Sequence, residues 1–416
     1  MTFLLCAVIT LAVAHLFLLS PLIPRPFWAY PIRLTEHLGF ALNQDSLLLM
    51  DLAVHPEGLL EPGPGDLRQS RPLYVWITAG LTRALAPLAR NSGIAALYGV
   101  QHPAFLPELV LNWCLLTLAF FLFWRFLRGF GGRFARDAAL LCAIPFLAND
   151  AVKAFIWTPH MQFFNLLFPV LGLVLCRWAL AGPNLPLWTG FAVGVGLGSL
   201  ALAYESSLFI LPAVAAAFAL GARASDAKSW WRAGLRATLP VLGFALPQLL
   251  WITVRLLRTG RFANIAIEKD RNFVWVFDSL RQGAGETFTR VFSYFLLFLR
   301  SLWGSCGLIV VCGVLLVFVG LALGAPPSPS SPARALASRA AWTTLFSAMA
   351  LLFLMGQYVE RHDFFVGPVL LALCGLWLTQ VLERGSRPVR VAIYGTLAAF
   401  DVVWLVYQVA KYGPYS

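Results

Sequence analysis

Long apolar runs separated by short polar clusters set the pattern of this chain. Segments 2–23, 104–124, 138–150, 161–180, 188–204, 206–221, 237–257, 305–324, 341–356, 363–382 and 391–409 carry almost no charge. About 20 apolar residues in a helix cross the ~30 Å hydrocarbon core of a bilayer. Several of these runs are shorter, which predicts helices that break in the membrane zone or draw polar neighbours into it. The expected fold is therefore all-α and integral to the membrane, a polytopic bundle of about 11 transmembrane helices. One multi-pass domain over 1–416 accounts for the whole pattern. The first run ends in Ser20-Pro21-Leu22-Ile23-Pro24, without the small-residue pattern of a cleavage site, and reads as a retained first span.

Composition sharpens the same picture. Only 12% of residues are charged against 59% hydrophobic, whereas a soluble domain needs about a quarter charged to solvate its surface. The net charge of +12 could suit a nucleic acid, but no soluble basic domain exists to bind one. Instead the basic residues mark loops on one side. Loops 125–137, 222–236, 326–340 and 383–390 hold 13 basic residues and three acids, as the positive-inside rule expects of cytoplasmic loops. Segment 24–103 balances six arginines against six carboxylates and reads as a long exterior loop. Within it, 73–90 (LYVWITAGLTRALAPLAR) is amphipathic through Arg83 and Arg90, which predicts a juxtamembrane helix lying flat at the interface. A second exterior loop, 258–290, departs from the rule: it is basic, with Arg261 and Arg271 among its cations, and calls for an anionic partner. The Ala/Pro/Ser tract 325–340 reads as a flexible cytoplasmic linker. All seven cysteines lie within apolar segments without a C-x-x-C, so neither a disulfide framework nor a thiolate metal site is expected.

Polar chemistry gathers on the exterior side. It comprises Thr35-Glu36-His37 with Asn43-Gln44-Asp45-Ser46 and Asp51, then Asn149-Asp150 with Lys153 and Thr158-Pro159-His160. Tyr204-Glu205-Ser206-Ser207 and Glu360-Arg361-His362-Asp363 complete the set. Ionisable residues at membrane depth are costly and mark function by default. Glu205 has no loop to live in, which favours a bundle-facing role. The blander readings are solvated loop carboxylates or helix N-terminal charges for Asp45 and Asp51, and a capping role for His160. Soluble-enzyme signatures such as G-x-x-x-x-G-K, H-E-x-x-H and G-x-S-x-G do not occur. The glycines of 190–198 (GFAVGVGLG) lie in an apolar span and read as helix-packing residues.

Three short motifs carry a family resemblance. Gln44-Asp45-Ser46-Leu47-Leu48-Leu49-Met50-Asp51 resembles the acidic stretch that follows the first span of GT-C-type membrane glycosyltransferases. Arg71-Pro72-Leu73-Tyr74-Val75-Trp76 is similar to that family's basic-Pro-aromatic turn into a juxtamembrane helix. Glu360-Arg361-His362-Asp363-Phe364, running to Pro368, is similar to its late Arg-Tyr turn, with His362 standing where Tyr is usual. The resemblance implies transfer of a sugar from a polyprenyl-phosphate donor to an acceptor hydroxyl on a glycan, lipid or protein. It also implies a bacterial inner membrane and an active site on the periplasmic side. On that reading Asp45, Asp51 and Glu205 are the catalytic candidates, as general base or as ligands of a possible divalent cation, and the choice between Asp45 and Asp51 stays open. Arg71, Tyr74, His160, Arg261, Arg271, Arg361 and His362 are the substrate-binding candidates, because arginine forks suit phosphate oxygens. No dedicated metal ligands are assigned. The alternatives are a lipid-diphosphate-dependent oligosaccharide ligase or polymerase, and a secondary transporter or lipid flippase.

The charge pattern gives a direct expectation for topology. Single cysteines placed near residues 130, 230, 335 and 387 should resist an impermeant thiol reagent in intact cells. Cysteines within 24–103 should react. Labelling of residue 230 from outside would invert the scheme.

Overall fold

The computed structural model describes residues 2–21, 29–61, 67–91, 100–182, 185–223, 230–260, 274–324, 331–356 and 361–411. It is a membrane-embedded helical bundle. Among the described residues, eight helical stretches are long and apolar enough to cross a bilayer. In chain order these include α1 (Thr2–Leu16, continued by a 3-10 turn to Leu19), α4 (Phe105–Arg128) and α8 (Phe163–Ala181). Then follow α11 (Trp230–Thr259), α13 (Ala284–Ala322) and α14 (Pro332–Met355). The last two are α16 (Gly367–Arg384) and α17 (Arg387–Ala410).

The remaining apolar runs form shorter pieces. Residues 135–155 break into α5 (Ala135–Leu141), α6 (Ala143–Leu147) and α7 (Asp150–Phe155). Asn149 starts the last of these by accepting the Val152 N–H at 2.8 Å. Helix α9 (Leu187–Ala201) gives way to a 3-10 helix, Glu205–Ile210, and then α10 (Leu211–Arg223). The break lies at Tyr204, whose extended backbone (φ −158°) leaves the helical region. Such interruptions are tolerated at depth only where protein surrounds them.

Between α1 and α4 lie the elements that shape one end of the bundle. A hairpin of β1 (Ala29–Arg33) and β2 (Gly39–Asn43) pairs antiparallel, with Pro31 opposite Ala41; it is the only sheet among the described residues. Sequence pattern alone predicted no strand there, because the strands have five residues each and one contains proline. Helix α2 (Gln44–Val54) follows directly, capped by Asn43, and α3 (Pro72–Asn91) comes next. The hairpin is fastened to the bundle by Thr158, whose hydroxyl donates to the Ala41 carbonyl at 2.6 Å. Trp157 does the same for α1, donating from Nε1 to the Ala14 carbonyl at 2.8 Å. Two short helices complete the set: α12 (Val274–Gln282) and α15 (Arg361–Phe365).

Two boundaries differ from the sequence expectation. Helix α13 starts at Ala284, well before residue 305, and its 39 residues make it about 58 Å long at 1.5 Å per residue. Its first turns are amphipathic and stabilised by an Arg290–Glu286 pair at i,i+4. The predicted linker 325–340 is helical from Pro332, because Ser331 caps the Arg334 N–H and proline suits the first helical position.

The opposite, arginine-rich end is closed by a buried ion pair. Arg334 donates to both Glu383 oxygens, at 2.7 and 2.5 Å, and to the Gly131 carbonyl at 3.3 Å. Removing one partner of a buried pair typically costs about 3–5 kcal/mol. In the middle of the bundle α9 and α11 approach backbone to backbone. A Cβ on Gly194 would lie 2.1 Å from the Pro240 carbonyl oxygen, and one on Gly198 would lie 2.3 Å from that of Phe244. Gly190, Gly194 and Gly198 thus pack helices, as expected. Gly196, on the same helix, faces open space. Gly194→Ala should therefore lower stability by about 1–3 kcal/mol, the usual cost of overpacking, while Gly196→Ala leaves it unchanged. Thermal melting of the two purified variants checks this.

Candidate functional site

At the hairpin end, a proline after Arg71 starts α3 and holds Arg71 at the helix entrance, where it faces the 3-10 helix of 205–210. Arg71 and Glu205 meet as a fork: Nε donates to Oε2 at 3.1 Å and Nη2 to Oε1 at 2.8 Å. The guanidinium is nearly buried and the carboxylate is half exposed, so the charge pair opens to one side. The Tyr204 ring lies 4.7 Å beneath the guanidinium carbon. The Leu73 N–H, donating to the Leu202 carbonyl at 3.1 Å, ties the same two segments through the backbone.

One turn along α3, the Tyr74 hydroxyl donates to Glu108 Oε2 at 2.6 Å, with both residues fully buried. Burial and the neighbouring Glu108 carboxylate push the Tyr74 phenol well above its ordinary range. Tyr74 is thus a fixed structural donor between α3 and α4, away from the exposed face of the Arg71 fork.

A residue that sequence reasoning missed is tied to Gln69, two positions before Arg71. Arg255, on α11, is buried and gives Nη2 to Gln69 Oε1 at 2.9 Å. Its Nε and Nη1 meet no hydrogen-bond partner among the described residues. Gln69 is held in turn: its backbone carbonyl accepts from Trp251 Nε1 at 3.2 Å, and its Nε2 donates to the Gly58 carbonyl at 2.9 Å. A buried guanidinium with two vacant donors is costly, since buried charges are ordinarily paired. The signal available in the sequence was an arginine three positions before the basic 258–290 segment, on the face of Trp251.

The other predicted residues fall as follows. Asp45 is exposed in the first turn of α2, where the helix dipole favours a carboxylate. Asp51, on another face of α2, pairs with His102 Nε2 at 3.3 Å. His160 is buried with its ring 5.2 Å from Phe155. His362 is likewise buried, its ring edge-on to Phe298 at 4.9 Å. The backbone of Arg361 opens α15, and its side chain lies outside the described residues, as do Arg261 and Arg271. Geometry therefore joins Arg71 to Glu205, and gives Tyr74, Asp51 and both histidines separate surroundings.

Lys153 occupies a different place at the same end. Its ammonium donates to the carbonyls of Gln408 and Lys411, at 2.6 and 2.7 Å, and so caps the C-terminus of α17. Burial, with Lys411 nearby, pushes its pKa down to about 8. Among the described residues no group of three His, Cys, Asp or Glu side chains could hold a metal ion, so the possible divalent cation has no prepared donor set there.

Comparison with family models, with curated proteins and with solved structures gives no match to this chain.

If the fork fixes the 3-10 helix against α3, Arg71→Lys, which keeps one charge but loses the two-bond geometry, should destabilise the protein by about 1–3 kcal/mol. Glu205→Gln should cost about as much, and the double variant less than the sum of the two. A double-mutant cycle read by denaturation measures the coupling. Full additivity would show that the fork does not hold the two segments together.

Proposed function

We propose that this protein is a membrane glycosyltransferase of the GT-C type, moving a sugar from a polyprenyl-phosphate carrier to an acceptor hydroxyl. The hairpin end is taken as the exterior, periplasmic face of a bacterial inner membrane. One observation carries the reading: buried Arg255, near the end of a membrane-spanning helix, has two N–H donors unpartnered among the described residues, and its third nitrogen is held by Gln69, two positions before Arg71 of the fork. Such a seat suits an anionic group that arrives from the bilayer, as a lipid phosphate does.

The chemistry runs as a displacement at the anomeric carbon. The acceptor oxygen forms a bond to that carbon while the carbon–oxygen bond to phosphate breaks, and the leaving polyprenyl phosphate keeps the electron pair. Asp45, exposed at the start of α2, takes the acceptor's proton as general base. Arg255 supplies N–H donors to the phosphate oxygens as their charge grows, and Arg71 adds a second positive charge held in place by Glu205 and Tyr204. No step is assigned to a metal.

The breaks at 142–149 and at 202–210 favour a second reading, because secondary transporters build their sites from interrupted helices. Purified protein in proteoliposomes separates the two. With a radiolabelled polyprenyl-phosphate sugar and a sugar acceptor, the glycosyltransferase transfers label into the acceptor without any ion gradient. Asp45→Asn should lower kcat by about 10²–10⁴-fold, the usual share of a general base, with donor binding retained. Arg255→Gln should raise the donor KM at least tenfold. If both variants kept wild-type transfer, Asp45 and Arg255 would be removed from the site. Gradient-driven uptake without transfer would favour the transporter.

A further inference from the structure

Among the described residues four arginine or lysine side chains are buried: Arg71, Lys153, Arg255 and Arg334. Arg71 and Arg334 are each met by a carboxylate, from Glu205 and Glu383. Lys153 is met by two carbonyls at the C-terminus of α17, the negative end of a helix. Arg255 is met by the side-chain oxygen of Gln69, at 2.9 Å, and by no carboxylate among the described residues. Its partner is therefore an uncharged amide. Its Nε and Nη1, which carry three N–H groups between them, have no hydrogen-bond partner among the described residues.

Gln69 is buried and held at every polar group it brings to this place. Its Nε2 donates to the Gly58 carbonyl at 2.9 Å, and its backbone carbonyl accepts from Trp251 Nε1 at 3.2 Å. These neighbours decide which way the amide lies. A guanidinium only donates and a carbonyl only accepts, so Oε1 faces Arg255 and Nε2 faces Gly58. The amide thus fixes the guanidinium and leaves its charge whole. A glutamate here would offer an oxygen of the same reach, but it would cancel the charge and set a carboxylate against the Gly58 carbonyl.

Trp251 also marks the depth of Arg255. Its ring lies edge-on to Trp76 of α3 at 5.6 Å, and Trp76 is exposed. Tryptophan collects at the headgroup level of a bilayer. Arg255 is one turn nearer the end of α11, about 6 Å further out at 1.5 Å per residue, where lipid phosphates lie. Leu256 and Leu257, the next two residues, are exposed, so the helix faces lipid beside the seat. We propose that Gln69 is the positioning residue of the Arg255 seat: it fixes the guanidinium without neutralising it, which readies the seat for a phosphate ester carried by a lipid. A donor held in place beforehand gives up little freedom when the anion arrives. This role rests on the donor seat proposed above and does not require sugar transfer.

Purified full-length protein would be titrated by calorimetry with farnesyl phosphate, farnesol and inorganic phosphate, and each variant checked for folding by thermal melting. Gln69→Glu, which neutralises Arg255, should weaken farnesyl phosphate binding by about tenfold or more. Gln69→Met removes both side-chain bonds without adding charge, and should weaken it by about threefold. Farnesol, which has no phosphate, should bind the wild type and both variants alike. Equal losses of farnesyl phosphate affinity in the two variants would reduce Gln69 to a structural residue. Wild-type affinity in a folded Gln69→Met protein would overturn the positioning role even if Gln69→Glu did not fold. Inorganic phosphate binding as tightly as farnesyl phosphate would overturn the lipid source. Arg255→Gln with wild-type affinity would remove the seat and this role together. The expected binding pattern without any sugar transfer would reject the glycosyltransferase and leave Gln69 its role.

Discussion

Charge inside an apolar bundle must be paired, and much of this architecture follows from where the pairs fall. Hydrocarbon offers no solvent to a guanidinium or an ammonium, so each buried cation needs acceptors from the chain itself. Arg334 takes Glu383 and the Gly131 carbonyl at the arginine-rich end. Lys153 takes two carbonyls at the terminus of α17, and Arg71 takes Glu205 at the hairpin end. Each tie joins segments far apart in sequence, so together they fix which helix ends meet. The pairs are demanding on their neighbours as well. Gly132, at φ +96°, leaves room where a Cβ would stand 2.1 Å from Glu383 Oε1, so the ion pair dictates a glycine in the preceding loop.

Between the two ends, cohesion has a different source. Lipid tails are as apolar as leucine, so burying apolar side chains between helices gains little, and close backbone packing takes over. The α9–α11 crossing is the plainest case, with Gly194, Gly198 and Gly243 each set against a facing carbonyl. Helices α13 and α17 lack such a seam and lie at the rim of the bundle. Rigid pairing at the ends and glycine packing in the middle leave these two outer helices largely uncovered by protein, with Leu315, Phe318, Val402 and Val403 open to lipid.

The sequence made the class of fold legible, because apolar runs and the sidedness of arginines are long-range signals that survive tertiary detail. It also located the packing glycines, and it singled out Glu205 as a residue with no loop to occupy. What it did not give were features set by partners distant in the chain. The hairpin of 29–43 depends on Thr158 accepting the role of anchor, and nothing local marks five-residue strands that include a proline. The extension of α13 back to Ala284 was hidden because its first turns are amphipathic rather than apolar. Asp45 and Asp51 were equal as sequence candidates. The structure gives them different surroundings, since only Asp51 is set against His102.

Arg255 illustrates why an unsatisfied group was invisible beforehand. Its burial is produced by Trp251 one turn earlier, by Gln69 from the segment before α3, and by the position of α11 as a whole. A single sequence shows an arginine near the end of a span, which ordinarily snorkels to the interface and needs no partner. The fold instead holds it by one nitrogen and leaves Nε and Nη1 aimed at no acceptor among the described residues. Neither propensity nor hydropathy can express that state, because it is a property of three segments at once. Arg71, Lys153 and Arg334 each meet two or more acceptors of the chain, whereas Arg255 meets one among the described residues. That difference, rather than the number of arginines, sets the hairpin end apart from the arginine-rich end, where Arg334 is held by a carboxylate.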